Sequence, residues 1–183
     1  EEKKAPADPT RGKPRGRMPD GSRDLAVLEA PTPGAPNRAT RTDDVVINEI
    51  LYHAISESED DELIELHNRA STPAALEGFR LTWAVRHELP AGCNVKPGGY
   101  LVVARNPAAV AAKYGLAREI VLGPYEGSLS ARGEEIVLRD ARGNVADRVA
   151  YADRDPWPRW ADGLGSSLEL IDPSLDNSLP QAW

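Results

Sequence analysis

Glu49 and Glu65 are the first residues in this chain whose type and placement suggest chemistry. Each stands inside an apolar run, VVINEILY (Val45–Tyr52) and ELIELHN (Glu62–Asn68). Two carboxylates facing one cleft at about 5–10 Å can run glycoside hydrolysis. The structural alternative is that each carboxylate, drawn into apolar surroundings, takes a cationic or amide partner. Arg80 is a candidate for that partner. His53, His67 and His87 are the three histidines, and no HExxH, CxxC or nucleophile-elbow pattern accompanies them. Structural or surface roles are expected for them, and no catalytic residue or cofactor is assigned.

Asp153, Asp155 and Asp162 share one long loop. Oxygen-rich loops at the end of a β-sandwich can bind calcium, but this spacing fits no calcium-loop motif. They are therefore only weak metal candidates. The same loop carries Trp157 and Trp160, in PWPRW, and Trp183 follows at the end of the sequence. Rings so placed either seal the open end of a sandwich or present a contact surface for a peptide, sugar or neighbouring module.

The elements that must position these residues read as short strands. Val45–Tyr52 is rich in β-branched residues, and Glu62–Asn68 alternates. Between them Ala54–Asp61 is acidic and cannot pack, so it is a solvated loop. Further strands are expected at Phe79–Trp83, Tyr100–Ala104, Glu119–Leu122 and Ser167–Asp172, with a hairpin from Glu134–Asp140 and Val145–Tyr151 about the turn ARGN. Asn106 and Pro107 fit the cap and first turn of one short helix ending at Gly115. About eight or nine strands and one helix predict an antiparallel two-sheet sandwich, with a partly open barrel as the alternative. Residues 178–183 are expected to leave it.

Composition agrees. The chain has 183 residues, is 40% apolar and 28% charged, and holds 16 prolines and 15 glycines, which favours a turn-rich β protein. Residues 45–183 carry 13 Lys/Arg against 21 Asp/Glu. A body so acidic repels phosphate backbones, so nucleic-acid binding by it is not expected. Cys93 stands alone, so no intrachain disulfide or cysteine-rich zinc site is possible. The first residues lack the apolar core of a signal peptide, and no run approaches the ~20 apolar residues of a membrane span.

Residues 1–44 read as an extended, proline-rich tail with a basic run, RGKPRGR (Arg11–Arg17). That run is either a solvated linker or an electrostatic docking segment. The tail also echoes the other end of the sequence. Asp20-Gly21, Leu25–Leu28, Pro31 and Asn37 match Asp162-Gly163, Leu168–Ile171, Pro173 and Asn177 in type and order. Three origins are open: the closing strand of a preceding module, an internal repeat used as an extra edge strand, and chance.

Together these stretches resemble the lamin tail domain, in its bacterial form. VVINEI opens the match, and DELIELHN carries the Glu-Leu-x-Asn of the family at Glu65–Asn68. LEGFRLT, KPGGYLVVARNPAAVAAKYG and SLSARGEEIVLRDARGNVADRVAY follow in order, and DPWPRWADGLGSSLELIDPSLDN closes it at Asn177. The resemblance spans about residues 45–177. It implies an immunoglobulin-like sandwich with no catalytic set, and Met18–Asn37 resembles the end of a preceding copy.

The expected function is thus a non-catalytic structural or protein-interaction module of a secreted or cell-surface multidomain protein. Its partners would be neighbouring domains or other copies, met through sheet edges and loops. Trp157, Trp160, Leu25 and Val27 are the candidate contact residues. The alternative is a targeting module attached to a hydrolase, binding carbohydrate, nucleic acid or calcium.

Overall fold

The sequence around Asn48 contains one residue more than strict alternation allows, and that extra residue organises the first sheet. The computed structural model describes residues 12–17, 20–21, 25–28, 30–37 and 44–183. Arg11, Met18 and Ser22, which belong to the basic run and the N-terminal echo, lie outside them. The described residues form β1 (Arg15–Arg17), β2 (Leu25–Val27), β3 (Val45–Leu51), β4 (Leu63–Asn68), β5 (Ala74–Ala75), β6 (Arg80–Trp83) and β7 (Val85–Glu88). Then come β8 (Asn94–Val95), β9 (Tyr100–Ala104), helix α1 (Pro107–Tyr114), β10 (Val121–Leu122), β11 (Glu126–Gly127), β12 (Gly133–Arg139), β13 (Val145–Ala152) and β14 (Leu168–Glu169).

Two five-stranded sheets face each other, in the orders β10-β9-β4-β3-β14 and β11-β7-β6-β12-β13. This is the expected all-β, immunoglobulin-like sandwich. Strand pairing is antiparallel with one exception: β10 runs parallel to β9. The reason is α1, which carries the chain back along the sheet between them. Asn106 caps α1 by accepting from the Ala109 amide at 3.2 Å. Pro107 opens it, and Gly115 ends it in the left-handed conformation at φ 65°. Five short strands are added to those expected: β1 in the basic run, and β5, β7, β8 and β11 in turn-like or polar sequence where no alternation announces them.

The facing sides of the sheets supply the main core, with Ile47, Ile50, Ile64, Leu66, Leu81, Val103, Ile136 and Leu138 all buried in it. The outer side of the first sheet is half covered. Leu51, Leu63, Val102 and Ala104 pack there against Val110 and Ala111 of α1. Burying Val110 alone favours that packing by about 1.5–3 kcal/mol.

In β3, Ile47 pairs with Leu66 while Glu49 pairs with Glu65, so Asn48 is a bulge. Ile47 turns its main chain away from β4, and β14 pairs with β3 only at Ile50 and Glu49, so the Ile47 amide has no strand partner. Asp147 of β13 fills that place, accepting from the Ile47 amide at 2.6 Å and from Asn177 Nδ2 at 2.7 Å. Asn177 also donates to the Ile47 carbonyl at 3.1 Å. Burial pushes the Asp147 carboxyl up, while these donors pull it down. Asn68, fully buried, ties loops together in a similar way, with its amide nitrogen 2.9–3.1 Å from the carbonyls of Thr72, Val95 and Lys96.

The final segment folds back rather than pointing away. The Ile171 amide donates to the Ala182 carbonyl, and the Trp183 indole donates to the Asn177 carbonyl at 2.8 Å. Trp183 and Ala182 belong to the main core.

Asn177→Ala removes two hydrogen bonds from a half-buried carboxylate and a carbonyl. It should cost about 2–3 kcal/mol of stability. Urea unfolding of the variant checks this, and a loss below about 0.5 kcal/mol would remove the bulge lock from this account.

Candidate protein-contact site

Strand register defines two ends of the sandwich. At one end β3, β9 and β13 finish and β4 and β12 begin. That end is closed from within by a buried polar network. Glu62, only 4% exposed, accepts from the Tyr125 hydroxyl at 2.8 Å and from the Leu129 amide at 2.9 Å. Burial raises its carboxyl, and those two donors act against the rise. Glu134 receives the Ser130 amide and the Tyr151 hydroxyl, and Tyr151 packs on Tyr52 at 4.7 Å between ring centres.

Over this network lie two loops, 53–57 and 160–166, joined by several bonds. His53 Nδ1 meets Asp162 at 2.7 Å, and its Nε2 meets Glu57 at 3.5 Å. The Gly163 amide donates to the His53 carbonyl at 3.2 Å. A Cβ on Gly163 would meet the His53 ring at 3.1 Å, so glycine lets the loops close at φ 71°. The Asp162 contact raises the His53 pKa above its ordinary value, burial opposes it, and Glu57 adds to the rise.

This stitched pair of loops holds three large apolar side chains out to solvent. Ile55 is 68% exposed, Trp160 69% and Leu164 60%. Ile55 and Leu164 flank the stitch, for a Cβ on Gly165 would lie 3.6 Å from Ile55 Cδ1. Their rim is charged: Asp155 pairs with Arg159 at 2.8 Å, and Glu57 and Asp162 flank His53. An apolar cluster with a polar rim is the usual form of a protein contact site. Trp83 is a further exposed ring, held at φ 78°, a conformation that costs a bulky residue energy.

The residues singled out in the sequence divide. Trp157 is buried and cannot present a surface, because Trp183 folds back to pack on it at 6.0 Å. Trp160, three residues on, is exposed. Leu25 is exposed, but Val27 is buried beside the β12–β13 turn, where its main chain bonds Asn144. The three loop aspartates do not converge. Asp162 serves His53, Asp155 serves Arg159, and Asp153 stands 3.7 Å from Arg154. No group of three potential metal ligands occurs among the described residues.

Glu49 and Glu65 do lie directly opposite each other, on the outer face of the first sheet, with Glu169 next in the same row. Arg80 is not their partner. It belongs to the other sheet, where it pairs with Glu88 at 3.1 Å. Ser167 donates to Glu49 at 2.6 Å, and Asn48 donates to Glu65 at 3.0 Å. Clefts of about 410, 370 and 500 Å³ are lined by other residues. Burial, and then the neighbouring carboxylates Glu49 and Glu169, push Glu65 up to about 7 against the Asn48 bond. His67 stacks on Tyr100 at 4.4 Å, and burial lowers both His67 and His87.

Two titrations test this geometry. The His53 contribution is present in full below its ordinary value of 6.5 and fades as pH rises through the higher folded value. The stability difference between wild type and His53→Gln should therefore shrink from pH 5.5 to 8.5. His67 and His87 shift the other way, so only that difference isolates His53; a flat difference would refute the loop stitch. Glu65 acts in the same direction, since its raised carboxyl is neutral at low pH and ionising it in the folded state is unfavourable. Glu65→Gln should gain about 1 kcal/mol over wild type between pH 4.5 and 8, after allowance for solvent screening. Unfolding midpoints at the two pH values check this, and a pH-independent difference would contradict it.

A family model described as Lamin Tail Domain matches residues 38–153. No curated protein matches the chain. The matched span runs from before β3 to the end of β13 and contains every strand of the two five-stranded sheets except β14. The chain belongs to the lamin tail domain family.

Proposed function

We propose that this is a non-catalytic protein-interaction module of a secreted or cell-surface multidomain protein, associating with further copies of itself through the Ile55, Trp160 and Leu164 loops. One observation carries this reading. Ile55, Trp160 and Leu164 are three of the ten large apolar side chains that the body leaves exposed, and they stand on two loops bonded to each other. Loops held in place offer an apolar surface at little ordering cost on binding.

Sheet edges support the reading less. The edge strands β10, β11 and β14 are two residues long, too short to template an added strand. The fourth edge, β13, turns its Asp147 toward β3. Loop tips are therefore the main device.

A second copy suits the site, because two identical apolar surfaces with polar rims can cover each other about a twofold axis.

Sedimentation velocity over a concentration series tests the proposal. The parent chain should show a mean mass that rises with concentration. Trp160→Ser should weaken association at least ~10-fold, as loss of a central aromatic contact does. Its unfolding midpoint should hardly move, because the ring is exposed. A monomer at every concentration, or a variant that associates as strongly as the parent, would overturn the reading.

A further inference from the structure

The tail at residues 12–37 bonds to the body at a defined point, and that point has the geometry of strand recognition. β1 and β2 pair antiparallel, with Gly16 opposite Ala26. The Leu28 amide donates to the Pro14 carbonyl. Pairing alternates along an antiparallel ladder, so the main-chain groups of Val27 point away from β1. Both are taken by one side chain of the body. Asn144 Oδ1 accepts from the Val27 amide at 2.7 Å, and its Nδ2 donates to the Val27 carbonyl at 3.1 Å. A carboxamide offers the same donor and acceptor as a peptide group, so Asn144 stands in for a neighbouring strand.

The clamp is held by bonds within the body itself. Asp140, only 4% exposed, accepts from the Asn144 amide at 2.8 Å and from Asn144 Nδ2 at 3.1 Å. The Asp140 amide donates to the Asn144 carbonyl, which closes the turn between β12 and β13. These bonds fix the rotamer that Val27 meets.

What sits in the clamp resembles the domain's own closing strand. β2 lies antiparallel to β1 as β14 lies antiparallel to β3. Asn37 Nδ2 donates to the Arg17 carbonyl of β1 at 3.0 Å, as Asn177 Nδ2 donates to the Ile47 carbonyl of β3 at 3.1 Å. The fit at β1 is close: a Cβ on Gly16 would lie 2.7 Å from Leu28 Cδ1 and 2.8 Å from Asn37 Nδ2.

We infer that the β12–β13 turn is a joint between modules: Asn144 recognises the main chain of the closing strand of a neighbouring lamin tail module, and Leu25–Val27 is such a strand seated within the same chain. The joint rests on the reading of the protein as an interaction module, but it uses the opposite end of the sandwich from Trp160.

Amide hydrogen exchange on the full chain, read by NMR, tests it. In Asn144→Ala the Val27 amide should exchange at least ~10-fold faster, while Ile136 and Val137 in β12 keep their protection. A second variant carries Ala26→Glu, Val27→Leu and Leu28→Ile, which places the sequence of Leu168–Ile171 on β2. Main-chain recognition of closing strands predicts that position 27 stays protected to within ~3-fold in that variant. Unchanged Val27 exchange in Asn144→Ala, or loss of protection in the strand-swapped variant, would overturn the joint. Sedimentation of Asn144→Ala separates this from the proposed association, which should persist through the intact Trp160 end.

Discussion

One half-buried carboxylate ties the two sheets together. Asp147 belongs to β13, yet it completes the hydrogen bonding of β3 at the Ile47 amide, a hundred residues earlier in sequence. β14 pairs with β3 only at Ile50 and Glu49, so the Ile47 amide beyond it has no ladder partner, and a buried amide left so is costly. Asp147 satisfies that amide and is itself satisfied by Asn177, which also reaches the Ile47 carbonyl. Three distant segments thus meet at one point. Everything beyond the bulge, including the facing of Glu49, Ile50 and Leu51, depends on that meeting.

The bulge decides what the outer face of the first sheet can be. With Asn48 set aside, Ile47 and Ile50 both turn inward, and Leu51 turns outward to join the cluster under α1. Glu49 turns outward as well, into a row with Glu65 and Glu169. This face is therefore apolar where the helix covers it and acidic where it does not. The carboxylates are adjacent, as glycoside chemistry would ask, but each is hydrogen-bonded to a neighbour within the sheet. The ends of the sandwich differ in kind. One is sealed by Glu62, Tyr125 and Tyr151 and overlaid by apolar loops, and the other is tied by Asn68 and Asn177 and presents Asn144.

Local pattern made much of this legible. The alternation of Leu63–Asn68, the apolar run Tyr100–Ala104, and the Asn-Pro and Gly at the two ends of α1 each carry their own structural signal, and each formed the element expected. Val85–Glu88 carries no such signal, since its VRHE sequence has one apolar residue in four. It is a strand only because β6 and β11 lie beside it. Nor can local sequence separate Trp157 from Trp160. They share a loop three residues apart, and only the return of Trp183 decides that the first is buried. Asp147 and His53 likewise take their roles from partners a hundred or more residues away. Ile55 and Leu164 look unremarkable in sequence because nothing local says that two separate loops will meet.

The seating of Val27 on Asn144 has a consequence for stoichiometry. A receptor filled by its own chain is closed to outsiders at a local concentration no free strand can match. Under the proposed self-association, contacts between copies would then fall to the Trp160 end alone, where identical surfaces meeting about a twofold axis stop at a pair. Were the tail drawn out of its seat, the same molecule would offer two unlike ends, and unlike ends joined in series do not close.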